Sequence, residues 1–371
     1  MTTFSSALPA PQNASGPPIP MAQGDLRTTL RPLAFGLLLA GVLGLFLLEL
    51  MIGAVSIPLG DILTMLVGGE AAQAAWSTIL YELRLPRAIT ALVGGAALGA
   101  AGLQLQTLFR NPLAGPWALG ITAGAQLGVA LVVVAGGVVG SAFLEQFVFL
   151  NNLSLVAGAG LGSALVLGVI ASVSRRVSTI TLLIMGLMLG FLAQGLVSLV
   201  LHFTSETQGK VFASWNDGSF AGVHWEHFPI LIPMIVVGLV AALMLVKPLN
   251  ALLLGEQYAA TLGLSVDRAR MMALTSAVLL AAPITAYCGP ILFVGLIVPH
   301  LCRGLFNTSD HRILMPAVLL MGSILALGAD LFVHLPWERH FLHLNAVNAL
   351  IGAPVVIWVI LRNKHMRSLA M

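Results

Sequence analysis

From Leu33 to Val55 the chain runs through an apolar stretch that contains one charged side chain, Glu49. A run of that kind crosses the hydrocarbon core of a bilayer as one helix, which takes roughly 20 residues. Similar runs recur to the end of the chain, so the sequence cannot wrap its apolar residues in a water-facing shell. Only 8% of the 371 residues are charged, against about 25% in an ordinary soluble domain, and the mean hydropathy is +0.99. A soluble globule is excluded. The expected fold class is all-α and polytopic, with roughly ten spans and no sizeable soluble domain.

Beyond the first run, which Arg27 and Arg31 precede, spans are expected at about 88–109, 117–138, 148–172, 180–203, 228–246, 270–288, 290–306, 313–334 and 345–361. Residues 1–31, rich in Ser, Pro, Ala and Gln and without periodicity, are expected to form a disordered tail. Residues 32–364 form the membrane domain, and 365–371 a second short tail. An even number of helices puts both ends on one side. If that side is the cytoplasm, thirteen of the seventeen Lys and Arg residues lie there, as the positive-inside rule requires. Arg84, Arg87, Lys210 and Arg339 then fall on the outer side, in an otherwise acidic set.

A phosphate-binding loop of the Walker type needs Lys followed by Ser or Thr. The lysines here, Lys210, Lys247 and Lys364, precede Val211, Pro248 and His365. No His-Glu-x-x-His or Gly-x-Ser-x-Gly constellation is present, so neither a catalytic residue nor a metal site is assigned. Cys288 and Cys302 sit in apolar stretches and are expected to be unpaired core residues. The glycines at 94, 95, 99 and 102, and those at 158, 160 and 162, allow close helix contacts.

The connection between the sixth and seventh spans, about 247–268, is long and lies on the basic side. Its core, Gly255-Glu256-Gln257-Tyr258-Ala259-Ala260, should form a short helix that presents Ala259 and Ala260, with Gly263 closing it in a left-handed cap. This segment resembles the coupling loop of ABC importer permeases. Five further features occur in order around it: Leu83-Arg84-Leu85-Pro86-Arg87, Asn111-Pro112-Leu113-Ala114, Arg175 to Thr179, Gly295 to His300 followed by Asp310-His311-Arg312, and Leu350 to Pro354. Together they make the chain similar, from Leu33 to Lys364, to the type II permease family that imports iron-siderophore complexes, haem and vitamin B12 across the bacterial inner membrane.

That resemblance implies a homodimer with two cytoplasmic ATPase subunits, which carry the ATP and Mg, and a periplasmic substrate-binding protein. It implies no cofactor on this chain. Gly255, Glu256, Gln257, Tyr258, Ala259, Ala260 and Gly263 would then meet the ATPase. Arg84 and Arg87 would dock the binding protein, with Arg339 standing near the family's third basic position, here His334. Ser178 and Thr179 match a cytoplasmic gate segment, and also suit a helix N-cap. His300, after Pro299, is expected to satisfy carbonyls that the proline frees. Met185, Met188, Gln194 and Ser198 are candidate cavity-lining residues by position, and His334, His340 and His343 cluster in the last outer loop. A competing class is a secondary transporter driven by ions, which would call for polar residues and broken helices at mid-membrane.

Overall fold

A computed structural model describes residues 23–139, 148–174, 176–336 and 342–368, and within these the chain is helical with no strand. Seven helices are long and apolar enough to cross a membrane: those over Arg31–Met51, Ala74–Leu108, Ser154–Ser174, Ile180–His202, Trp225–Met244, Val266–Cys288 and His311–Val333. Three shorter apolar helices, Ile121–Ala135, Val294–Phe306 and Leu344–Ile357, fall where the remaining three spans are expected. The first helix, α1 (Gln23–Met51), begins eight residues before Arg31, so the stretch assigned to the end of a tail is helical.

Between the first two spans the chain forms two short helices, α2 (Leu59–Leu66) and α3 (Ala74–Thr78). A π-helical turn, Ile79–Arg84, then joins α3 to α4 (Leu85–Leu108). The Tyr81 hydroxyl donates to Met65 O at 2.6 Å and ties the turn to α2. Helix α4 and helix α12 (Val266–Cys288) are the buried centre, whereas α1, α6 (Val148–Ser174), α7 (Thr179–His202) and α9 (Phe228–Met244) leave most of their span uncovered by the chain.

Small residues decide how close the central helices come. A Cβ on Gly102 of α4 would lie 1.7 Å from Gly295 O of α13 (Val294–Phe306), and one on Gly95 would lie 2.2 Å from Gly322 O of α14 (His311–Val333). Gly128 of α5 (Ile121–Val139) meets Gly158 O at 1.8 Å in the same sense, and Gly162 meets Gly124 O at 1.9 Å. Gly160, which faces open space, takes no part. Gly102→Ala must therefore push two backbones apart, and overpacking of this kind costs about 1–3 kcal/mol. Thermal unfolding in detergent should show a clear loss of stability for Gly102→Ala and almost none for Gly160→Ala.

Two connections enter the bundle instead of staying at its surface. Gly120, with φ +70°, packs against Gly186 and Gly190 in the middle of α7, so the 111–120 connection reaches half-way along that span. The 289–293 connection, with Gly289 at φ +73° and Phe293 at φ +67°, lets α13 start deep in the bundle beside Gly102. His300 helps to hold the first of these. Its Nε2 is 2.7 Å from Pro112 O, so it serves a carbonyl on the α4–α5 connection and not, as expected from its neighbour Pro299, one in its own helix.

The 204–227 segment, expected as a loop, contains α8 (Glu206–Asn216). Ser205 and Gln208 form a capping box at its start, and Trp215 Nε1 donates to Ala286 O at 3.2 Å. Cys288 and Cys302 are both free and buried.

Candidate functional site

The 247–268 connection folds as two helices, α10 (Val246–Leu253) and α11 (Glu256–Thr261), before α12. Gly255 at φ +119° makes the corner between them, where a Cβ would crowd the Arg110 guanidinium at 3.1 Å. At the other end Gly263 N donates to Ala260 O at 3.0 Å and Leu264 N to Ala259 O at 3.1 Å, with Gly263 at φ +85°. These two bonds form a Schellman cap, the ending expected from the sequence. Arg270 fixes the helix from below: it pairs with Glu256 at 3.0 Å and donates to Ser174 O at 2.5 Å. Arg110 reaches Leu252 O at 3.2 Å.

The exposed face of α11 therefore consists of Gln257, Tyr258, Ala260 and Thr261, continued by Leu262 and Gly263. Ala259 is fully buried beneath it, a correction to the expectation that both alanines face outward. Adjacent residues of a helix point about 100° apart, and the rotation of α11 turns Ala259 inward and leaves Ala260 exposed. Ser178 caps α7 by accepting from Thr181 N at 3.2 Å, and Thr179 is the first residue of that helix.

At the opposite end, Arg84 and Arg87 are turned inward. Arg84 is buried and donates to Leu50 O at 2.6 Å, to Met51 O at 3.0 Å and to Val55 O. Its guanidinium closes the carbonyl end of α1, where a cation also offsets the helix dipole. Arg87 bonds Glu49 through Nε at 2.9 Å and Nη2 at 2.6 Å, and its Nε lies 3.1 Å from Asp330 Oδ2. Both carboxylates are buried. The expected pair of free arginine forks is thus not what the fold displays, because each side chain is turned onto internal partners: Arg84 onto carbonyls of the α1 end and Arg87 onto two buried carboxylates. Arg339 and His340 lie outside the described residues.

His334, just beyond α14, sits against the same cluster with Nδ1 2.9 Å from Asp330 O. Burial, followed by the Arg87 charge, holds it below the ordinary imidazole range. His343 pairs with Asp217 at 3.2 Å. Arg84, Arg87, Lys210, Asp217, His334 and His343 all line one cavity of about 910 Å³.

A second cavity, of about 440 Å³, lies against α5, α7 and the end of α8, with the 289–293 connection and Asn345 beside it. Gln194 Nε2 donates to Gln126 Oε1, and Gln126 Nε2 donates to Asn216 Oδ1 at 2.6 Å. This makes an amide chain across three helices. Asn345 of α15 (Leu344–Ser368) holds the re-entrant connection at the same place, donating to Pro290 O at 2.7 Å and accepting from Leu292 N at 3.0 Å. Trp117 and Phe191 add exposed rings. Amide side chains at this depth are costly against lipid and belong on a wet path or a protein contact. Of the four residues expected from the fifth span, Gln194 lines this cavity and Met185, Met188 and Ser198 do not. The sequence reading missed Gln126, Asn216 and Asn345, which come from separate segments.

Ten apolar helices, two re-entrant connections and a short exposed helix on one end describe a helical permease without a nucleotide loop of its own. The comparisons agree. The FecCD transport family matches residues 39–362, and the chain belongs to it. The vitamin B12 import system permease protein BtuC of Klebsiella pneumoniae is 34% identical over 297 residues, 80% of this chain and 86% of that one. Its counterpart in Vibrio cholerae is 36% identical over 297 residues, 78% and 86% of the two chains. A solved transporter of the metal-chelate ABC type, in an inward-facing conformation, aligns with a TM-score of 0.77 and 27% identity over 89% of this chain and 99% of its own. The protein is an ABC importer permease that passes the membrane many times.

Proposed function

We propose that the chain imports a corrinoid-type, amide-rich chelate across the bacterial inner membrane, from periplasm to cytoplasm. The observation that carries this reading is the amide chain Gln194–Gln126–Asn216, on a wall that Thr122, Asp217 and Asn345 also line and that holds no cation. Uncharged amides exchange hydrogen bonds with the carboxamide arms of a corrinoid and offer no fixed cation to the propionates of haem. The BtuC relatives are named for vitamin B12 import, which supports the same choice.

In this reading two copies face each other across the α5–α7–α8 wall, so that the amide chains line a shared path. Two ATPase subunits, which hold ATP and Mg, grip the exposed turn at Gln257, Tyr258 and Ala260, while Gly255, Glu256 and Gly263 keep its shape and the buried Ala259 seats it. Ser178 and Thr179, at the inner start of α7, form the gate. A substrate-binding protein covers the outer cavity, with Arg84 and Arg87 setting the floor of that mouth.

The complex with its ATPase and binding protein, placed in proteoliposomes, should accumulate labelled cobalamin on addition of ATP and leave haem outside. Changing Gln194 and Gln126 to Leu should cut cobalamin uptake at least tenfold, since each amide removed strands a polar group of the passing ligand. Equal uptake of haem, or full uptake of cobalamin by the double variant, would remove the corrinoid assignment.

A further inference from the structure

Helices α9, α10 and α14 enclose a pocket of about 490 Å³ at the end of the bundle that carries the 247–268 connection. Its rim holds Lys247 and Arg312, and its wall is Leu243, Met244, Met315 and Pro316. Both cations are exposed, and among the described residues neither takes part in a side-chain ion pair. Three other basic residues at this end are engaged: Arg110 on Leu252 O, Arg270 on Glu256 and Ser174, and Arg303 on Gln106 at 2.6 Å.

The other polar groups near the pocket are engaged within the chain. Asp310 turns its carboxylate into the start of α14, accepting from Arg312 N at 2.9 Å and from Asn250 Nδ2 at 2.6 Å. Those bonds, the backbone one first, hold it below the ordinary carboxylate range. His311 is buried between Thr107 and Asn250, at 2.8 Å from each. Only the lysine and the arginine remain to face a ligand.

We propose that this pocket binds one anionic phospholipid of the inner leaflet, its phosphate between Lys247 and Arg312 and its acyl chains along α9. The apolar wall decides between a lipid and a free anion. Beneath the two charges, Leu243 and Met244 are exposed, and Val240, Val237 and Val236 continue the same open stripe along α9. Charges above and an uninterrupted apolar track below match the two ends of a phospholipid, and basic pockets between helices at the cytoplasmic face commonly take such headgroups. An acidic segment of a partner protein would use the charges and leave the track unused. The assignment rests on the cytoplasmic placement of this end.

Cardiolipin titrated into the purified protein in a neutral detergent should raise the unfolding temperature and saturate at about one lipid per chain. Lys247→Gln with Arg312→Gln should weaken that effect about tenfold or more, each cation near an anionic headgroup being a substantial part of the attraction. Lys247→Arg with Arg312→Lys should retain it, as should the outer-side control Lys210→Gln. Inorganic phosphate at the same headgroup concentration should not protect. Unchanged lipid dependence in the double Gln variant, or equal protection by inorganic phosphate, would overturn the proposal. Labelling Lys247→Cys in intact spheroplasts separates the two ideas: reaction from outside sinks the placement, whereas protection there with no lipid effect sinks the lipid site alone.

Discussion

Arg87→Ala should yield little or no folded protein. The substitution leaves Glu49 and Asp330 buried within the bundle without their cation. Breaking a buried pair by removing one partner costs about 3–5 kcal/mol, which is a large share of the 5–15 kcal/mol that stabilises a typical domain. Here two carboxylates lose one guanidinium, so the loss belongs at the upper end. The cluster joins α1, α4 and α14, and α1 has few other polar contacts to hold it. Replacing all three members together, with Glu49→Gln, Arg87→Met and Asp330→Asn, should restore folded protein, because no bare charge then remains. Size-exclusion profiles and thermal unfolding in detergent would show this. If Arg87→Ala behaves like wild type in both, the cluster is not the fastener described here. The same geometry predicts that changing Arg84 and Arg87 to Glu damages folding before any effect on docking can be read.

Changing Ala260 to Trp should abolish transport while leaving the permease folded. The residue stands on the exposed face of α11, between a positive-φ corner at Gly255 and the Schellman cap at Gly263, so a large ring there meets no part of this chain. It fills the space that the ATPase groove takes in the proposed complex. The expected readout is normal yield and unfolding temperature, continued ATP hydrolysis by the ATPase, and uptake reduced by two orders of magnitude or more. Gly263→Val should reach a similar end by a different route, since a β-branched residue at φ +85° disrupts the cap. Full uptake by Ala260→Trp would take the coupling role away from this helix.

The spans were legible in the sequence because each is long, apolar and nearly free of charge, and lipid imposes that pattern residue by residue. The cap at Gly263 was legible for a similar reason, as its conformation depends on its neighbours. Helix α8 could have been found from Ser205 and Gln208, whose spacing is that of a capping box, although its polar composition hides it from a hydropathy reading. The inward turn of Arg84 and Arg87 could not be found in this way. It depends on α1 ending beside the π-helical turn, a contact between residues more than thirty positions apart. The amide chain is equally non-local, since Gln126, Gln194 and Asn216 come from three helices, two of which approach closely where Gly120 packs on Gly190. Ala259 was misplaced because the sequence specifies a helix there but not its rotation, which Arg270 sets by holding Glu256.

Half-crossing helices such as α13 also occur in secondary transporters, so the energy source is the claim that most needs a direct test. The measurement is cobalamin uptake into proteoliposomes that contain the permease with or without its ATPase, under either ATP or an imposed proton or sodium gradient. The account predicts accumulation only when ATPase and ATP are both present, and no ATP hydrolysis by the permease alone. Uptake driven by a gradient in vesicles that lack the ATPase would contradict it.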